Sequence, residues 1–136
     1  MSVPDASAPL SASSFLAFDF GVKRVGVAAG SVVLRLGQPL RTIAAEGDAR
    51  FVAIASLIHE WQPDALVVGV PYHPDGAPHD NTRRAQRFAR QLRGRFGLPV
   101  FEVDERYSTT EALAANARDA DAASACIILE QFLRSL

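Results

Sequence analysis

Asp19 sits inside the run F-L-A-F-D-F-G-V-K-R-V-G-V-A-A, which extends from Phe15 to Ala29. A charge among Phe15, Leu16, Ala17, Phe18 and Phe20 is costly unless something binds it. Gly21 follows two residues later, then Lys23 and Arg24, then a second apolar run. The pattern reads as strand, tight turn, strand, with an acid held near the turn. That is a natural place to hold a metal ion or to contact a phosphate. Asp104 and Glu105 close another apolar run, and Asp121 stands just ahead of a third. Three carboxylates converging without His or Cys neighbours suit hard cations such as Mg2+ or Mn2+. Two such ions can stabilise the attacking and leaving oxygens of an in-line phosphodiester cleavage.

Each acid also has a plainer reading. Asp19 can accept hydrogen bonds from turn amides ahead of Gly21. Asp104 and Glu105 can pair with Arg106, and Asp121 can cap a helix. Lys23 and Arg24 can be ordinary hairpin charges. The set is more specific than its members, because four local readings would have to coincide. Of the three histidines, His59 belongs on the surface of an amphipathic helix, while His73 and His79 flank a loop. No Ser-His-Asp or Cys-His arrangement is evident. His73 reads as a plain loop residue, with assistance at the site as the alternative. The lone cysteine, Cys126 in A-S-A-C-I-I-L, reads as a small buried hydrophobe rather than a catalytic thiol. One cysteine cannot form an internal disulfide, which is compatible with a cytoplasmic location.

The elements that must position these groups alternate between strand and helix. After the opening hairpin, Val32 to Leu36 reads as a third short strand or the end of the second, with Gly37 and Pro39 marking a loop. Asp48 to Trp61 places Phe51, Ile54, Leu57, Ile58 and Trp61 at helical spacing. Ala65 to Val70 is a short apolar run of strand length, closed by Pro71. A loop over Tyr72 to Pro78 precedes a long helix, Asn81 to Phe96, whose apolar side carries Ala85, Phe88, Ala89 and Leu92. Gly97 is its expected stop. Leu98 to Val103 reads as a buried strand ending at Asp104 and Glu105. Ser108 to Glu111 is a capping box that opens a helix. The last helix begins near Asp121 and buries Ile127, Ile128, Phe132 and Leu133. This alternation implies an α/β fold with a mostly parallel sheet covered by helices, made mixed by the antiparallel N-terminal hairpin. In such sheets functional groups gather at the carboxyl ends of strands. Asp19, the Gly69-Val70-Pro71 turn and Asp104-Glu105 all stand at such ends, and Asp121 joins them if the last helix packs back on the sheet.

The 136 residues amount to about one domain, nearly half apolar, long enough to bury a core without staples. The first 13 residues are rich in Ser, Ala and Pro and do not resemble a signal peptide. They are expected to be a disordered leader ahead of a domain over residues 14–136. No apolar run reaches the roughly 20 residues needed to span a bilayer. The net charge of −1 hides an uneven distribution: 13 of the 14 basic residues are Arg, six of them between Arg83 and Arg95, and six acids fall between Glu102 and Asp121. Arginine suits bidentate phosphate recognition. A basic helix beside an acidic site fits a protein that grips a polyanion and places metal at one point, although a solvated helix face gives the same composition.

The strings D-F-G-V-K-R-V-G-V-A, V-V-G-V-P, D-E-R-Y-S-T-T-E-A and D-A-A-S-A-C-I-I-L-E resemble the YqgF/RuvX family of pre-16S rRNA nucleases, over nearly the whole chain from about Phe15 to Leu136. The resemblance implies an RNase H-like fold related to Holliday-junction resolvases. It also implies a metal-dependent endonuclease that processes the 5′ end of 16S rRNA in bacteria. Asp19 then matches the first-strand acid, Glu105 the acid of the D-E-R string and Asp121 the acid opening the last helix. These three would be catalytic and would hold Mg2+ or Mn2+. Asp104 is a further candidate ligand, but adjacent strand residues point to opposite faces, so only one of this pair should face the metals. Lys23, Arg24 and Arg106 become candidate phosphate contacts. Gly21, Gly69 and Pro71 would shape the loops, and Asn81, Arg83 and Arg87 would contact the nucleic-acid backbone. The implied partners are precursor rRNA or a ribosomal particle, with no membrane, and the protein would be a monomer or weak homodimer. The sequence departs from the family in one place. The connection A-L-A-A-N-A-R-D-A before Asp121 is shorter than the Gly- and Lys-containing loop usual there, which makes Asp119 a rival to Asp121. A DNA junction resolvase of the same fold, or a non-catalytic RNA-binding ribosome-assembly module, are the alternatives.

Overall fold

In a computed structural model of the chain, which describes residues 13–73, 75–105 and 118–136, the opening apolar runs form the expected hairpin. Strands β1 (Ser14–Phe20) and β2 (Val25–Ser31) pair antiparallel, with Asp19 opposite Gly26. The chain continues through β3 (Gly37–Ile43), α1 (Gly47–Trp61), β4 (Ala65–Pro71), α2 (Asp80–Phe96), β5 (Val100–Glu105) and α3 (Ala120–Arg134). The five strands make one mixed sheet in the order β3-β2-β1-β4-β5. β4 runs parallel to both β1 and β5. The leader up to Ala12, Arg106 and the Ser108–Glu111 capping box lie outside the described residues, as does most of the connection to Asp121.

β1 and β4 are apolar without alternation because both their faces are covered. On one face, Leu16, Phe18, Leu66 and Val68 pack with Ile54 of α1 and Phe88 and Leu92 of α2. On the other, Phe15, Ala17, Ala65 and Val67 pack with Ile128, Leu129 and Leu133 of α3. Side-chain alternation along a strand thus assigns every residue to one of two layers. α2 ends at Gly97, which adopts the left-handed conformation expected of a stop, with φ 66°.

Several boundaries differ from the sequence reading. Val32–Leu36 is not a strand: it holds a turn after β2, and Val33, Leu34 and Leu36 are exposed. The third strand starts at Gly37, where the sequence signals a loop, and includes Pro39. Proline is tolerated because β3 is an edge strand and Pro39 lies where its register with β2 shifts, between Val27 and Ala28. Trp61 lies exposed at the end of α1 rather than joining the core, and Ile127 is only half-buried. The last strand begins at Val100 and includes both Asp104 and Glu105.

Cys126 is half-buried on α3, and burial together with nearby Glu130 pushes its thiol up to about 11. It is therefore no nucleophile at neutral pH. No helix among the described residues is long and apolar enough to cross a membrane.

At the end of the sheet away from Asp19, Asp64 ties β4 to the start of β1. Its Oδ2 accepts from the backbone amides of Ser13 and Ser14 at 2.9 and 3.0 Å, and from both serine hydroxyls. The amide hydrogen bonds hold its carboxyl below the usual range. A depressed folded pKa contributes stability that is present above the unfolded value and is lost as pH falls through the folded one. Asp64→Ala is accordingly expected to melt below wild type at pH 7, with the gap closing below about pH 4. Thermal melts across pH 2.5 to 7 would check this, and a gap that widened with acid would refute it.

Candidate active site

The register of the sheet places the candidate carboxylates. Asp19 follows Phe15 and Ala17 onto the α3 face and pairs laterally with Gly69 of β4. On β5, Phe101 and Val103 pack on that same face, so Glu105 shares it. Asp104, one residue earlier, lies on the opposite face, beside Val70 in the register. A Cβ built on Gly69 would lie 3.3 Å from Cγ of Glu105 and 2.5 Å from Cδ1 of Ile128. Gly69 therefore leaves the ground beside Asp19 bare, and Glu105 and α3 close over it.

Asp121 arrives on α3. Its first turn rests directly on β2: a Cβ on Gly26 would lie 1.9 Å from the carbonyl oxygen of Asp121. Asp119, not Asp121, is the N-cap, accepting from the Ala122 amide at 3.1 Å and from the Thr42 hydroxyl of β3. Burial pushes the Asp119 carboxyl up, but the bonds from Thr42 and Ala122 outweigh it and hold it below the usual range. With the cap supplied two residues earlier, the Asp121 carboxylate is available for other work, and Arg24 Nε binds it at 2.9 Å.

Asp19, Phe20, Gly21, Val22, Lys23, Arg24 and Asp121 line one open cleft of about 350 Å³ at the tip of the β1–β2 hairpin. Asp19 and Asp121 thus share one cleft with Lys23 and Arg24, while neither Glu105 nor a histidine belongs to its lining. Among the described residues, no three His, Cys, Asp or Glu side chains gather closely enough to form a ready-made metal cage. The donor set is nonetheless all carboxylate oxygen on one sheet face, which fits a hard divalent cation in its chemistry. In the present arrangement it is the Arg24 guanidinium that balances Asp121.

The other expected contacts lie elsewhere. α2 covers the face opposite Asp19, so Asn81, Arg83 and Arg87 stand across the sheet from the carboxylates. Asn81 accepts from Arg84 at 3.1 Å, and Arg83 pairs with Asp80 at 3.4 Å. His79 caps α2 through Nδ1, which accepts from the Asn81 amide at 3.2 Å, and His73 stacks edge-on against it. The Pro71 carbonyl, at the end of β4, accepts from the buried Thr82 hydroxyl at the start of α2. Another cleft, at the far end of the sheet between Phe15, Leu34, Leu36 and Trp61, has no titratable group in its lining and nothing with which to do acid–base or metal chemistry.

The sequence reading missed two residues that matter here. Gly26 reads locally as part of an apolar run, although an isolated glycine in a strand signals close backbone approach. Arg50 reads only as a polar position on α1. It is in fact 5% exposed, its Nη2 donating to the Val22 carbonyl at 2.9 Å and its Nε to the Ala45 carbonyl at 2.8 Å. It thereby braces the turn that carries Lys23 and Arg24. A buried arginine has no sequence signature short of the fold itself.

Comparison with known proteins agrees with this architecture. Residues 13–135 match the model of the RuvX family, described as a Holliday junction resolvase. A protein from Polaromonas sp. (strain JS666 / ATCC BAA-500), named "Putative pre-16S rRNA nuclease", is 72% identical over 134 residues, covering 98% of this chain and 96% of that protein. A protein of the same name from Albidiferax ferrireducens is 74% identical over 123 residues, covering 90% of this chain and 79% of that one. Among solved structures, Thermus thermophilus RuvC in complex with a Holliday junction substrate superposes with a TM-score of 0.58 at 13% identity, over 90% of this chain and 94% of that one. That likeness establishes a shared RNase H-like fold. Extending from the first strand to the last helix, the sequence match settles the family: the chain belongs to RuvX.

Proposed function

We propose that this protein is a divalent-metal-dependent endonuclease that cleaves structured RNA, with 5′-end processing of precursor 16S rRNA as its reaction. The observation that carries the reading is the cleft itself, in which Asp19 and Asp121 face Lys23 and Arg24 at the tip of the hairpin. The names of close relatives support precursor 16S rRNA as the substrate. Asp19, Glu105 and Asp121 would hold Mg2+ or Mn2+, and the register of Asp104 beside Val70, on the other face of the sheet, supports Glu105 rather than Asp104 as the ligand. Such an ion supplies Lewis-acid stabilisation of phosphoryl charge and a water of lowered pKa. Lys23 and Arg24 bind non-bridging phosphate oxygens and set the scissile bond over the carboxylates. Arg24 must exchange Asp121 for phosphate to do so, which is easy for a pair as exposed as this one.

The family description favours one second reading, cleavage of branched DNA. The test offers the full chain a 5′-extended 16S rRNA fragment and a four-way DNA junction, each with Mn2+, with Mg2+ and with chelator. Cleavage of the RNA that needs either ion is the expected result. Cutting of the junction alone would select the second reading, and RNA cleavage that persists in chelator would overturn the metal-dependent mechanism.

A further inference from the structure

A cleft of about 270 Å³ opens on the α1/α2 face, lined by Arg50, Arg84, Arg87 and Gln91 over the rings of Phe20, Phe51 and Phe88. It shares Phe20 and Val22 with the Asp19 cleft, so the two meet across the tip of the β1–β2 hairpin. We propose that it is a second backbone-phosphate subsite, which receives the RNA strand after it leaves the catalytic cleft and crosses Val22. The proposal rests on the nuclease reading and assigns the strand's path.

Two independent observations carry it. The first is Arg50, a guanidinium buried in the floor with no carboxylate at ion-pair distance among the described residues. Its Nε and Nη2 donate to the Ala45 and Val22 carbonyls, its guanidinium lies 5.5 Å from the centre of the Phe20 ring, and Glu46 attracts it only through space, without a direct ion pair. A desolvated cation without a direct ion pair is costly, and an anion beside it offsets that cost. The second is the rim. Arg84 and Arg87 are exposed, one helical turn apart on α2, and so project side by side over the cleft. Asn81 holds the Arg84 guanidinium at 3.1 Å, and Arg87 has no ion-pair partner among the described residues. The nearby acids are Glu46, which attracts Arg50 through space, and Asp48, which Arg95 already occupies at 3.3 Å. Paired guanidinium forks above a buried positive charge suit a phosphodiester. The location also resolves a difficulty of the site: the arginine helix lies across the sheet from Asp19, and a strand bent over the exposed Val22 reaches both.

The test compares Arg84→Ala/Arg87→Ala with a charge-matched control, Arg90→Ala/Arg134→Ala, both altering only exposed side chains. Binding of the 5′-extended rRNA fragment is measured by fluorescence anisotropy in an Asp19→Asn background at several salt concentrations, and steady-state cleavage in the otherwise wild-type chain. The cleft variant should bind at least about tenfold more weakly, with the log–log salt slope reduced by about 1 to 2. KM should rise with kcat unchanged at saturating RNA, and the control should shift affinity less than about twofold. Equal losses in the two variants, or no loss in the cleft variant, would overturn the subsite. In either case a wild type that still cleaves RNA leaves the nuclease reading standing, whereas a wild type that neither binds nor cleaves RNA removes both.

Discussion

Gly26→Ala is expected to abolish cleavage and to lower the melting temperature by about 10 °C. The added Cβ would lie 1.9 Å from the carbonyl oxygen of Asp121, 2.2 Å from its carbonyl carbon and 2.9 Å from the Ala122 amide nitrogen. All three are backbone atoms, so no side chain can swing aside. Either β2 or the first turn of α3 must move, and both are pinned. β2 is hydrogen-bonded on both sides, with Gly26 opposite Asp19 and Thr42, and the α3 cap is bonded to Thr42. Overpacking costs typically 1–3 kcal/mol, and a rigid backbone clash belongs at about 3 kcal/mol. For a domain of this size that corresponds to roughly 10 °C. The loss of activity has a separate cause, because the displaced turn carries Asp121 away from the Asp19 cleft. Gly94→Ala provides the contrast: nothing lies within 4 Å of its Cβ on α2, and alanine there favours the helix. It should melt at or slightly above wild type. A Gly26→Ala protein with wild-type melting and wild-type activity would refute the claim that α3 is seated on that glycine.

Gly26 also illustrates how far the sequence could be read. The strands that bury both faces were legible because their apolar runs are continuous, and the two long helices because their apolar residues recur at helical spacing. β3 was not, since Gly37 and Pro39 signal a loop locally and only the edge position makes them acceptable in a strand. The acids at strand ends were legible as a group. Their separation into layers was not, because telling Glu105 from Asp104 requires knowing that Val103 lies beside Gly69. Likewise Asp119 and Asp121 both look like helix starters. It takes Thr42, contributed from a strand 77 residues earlier, to fix Asp119 as the cap. Long-range register decided each of these points, and local pattern does not encode it. The arginine helix shows the converse: its composition was legible, but its side of the sheet was not.

Asp19→Asn and Arg24→Ala are expected to separate metal binding from phosphate binding. Asp19→Asn keeps the shape of a half-buried side chain, so the fold should persist. It removes a carboxylate that would hold the cation meant to balance the phosphoryl charge, and kcat should fall at least about 10^3-fold, the scale of losing several kcal/mol of transition-state stabilisation. Its Mn2+ affinity should drop at least about tenfold. Arg24 predicts the opposite sign for the metal. Its guanidinium now neutralises Asp121 at 2.9 Å, with the side chains 65% and 33% exposed, so the pair contributes little to stability, about 1 kcal/mol at most. Removing it leaves Asp121 without its counter-charge, and Mn2+ affinity should rise a few-fold. RNA affinity should fall, because a phosphate contact is lost. Calorimetric Mn2+ titrations, with no RNA present, read the metal arm apart from activity. Tighter Mn2+ binding with weaker RNA binding in Arg24→Ala would establish the guanidinium as a cation that yields its place on Asp121. Weaker binding of both would make Arg24 a mere structural tie for the α3 terminus, and the exchange of Asp121 for phosphate would have to be abandoned.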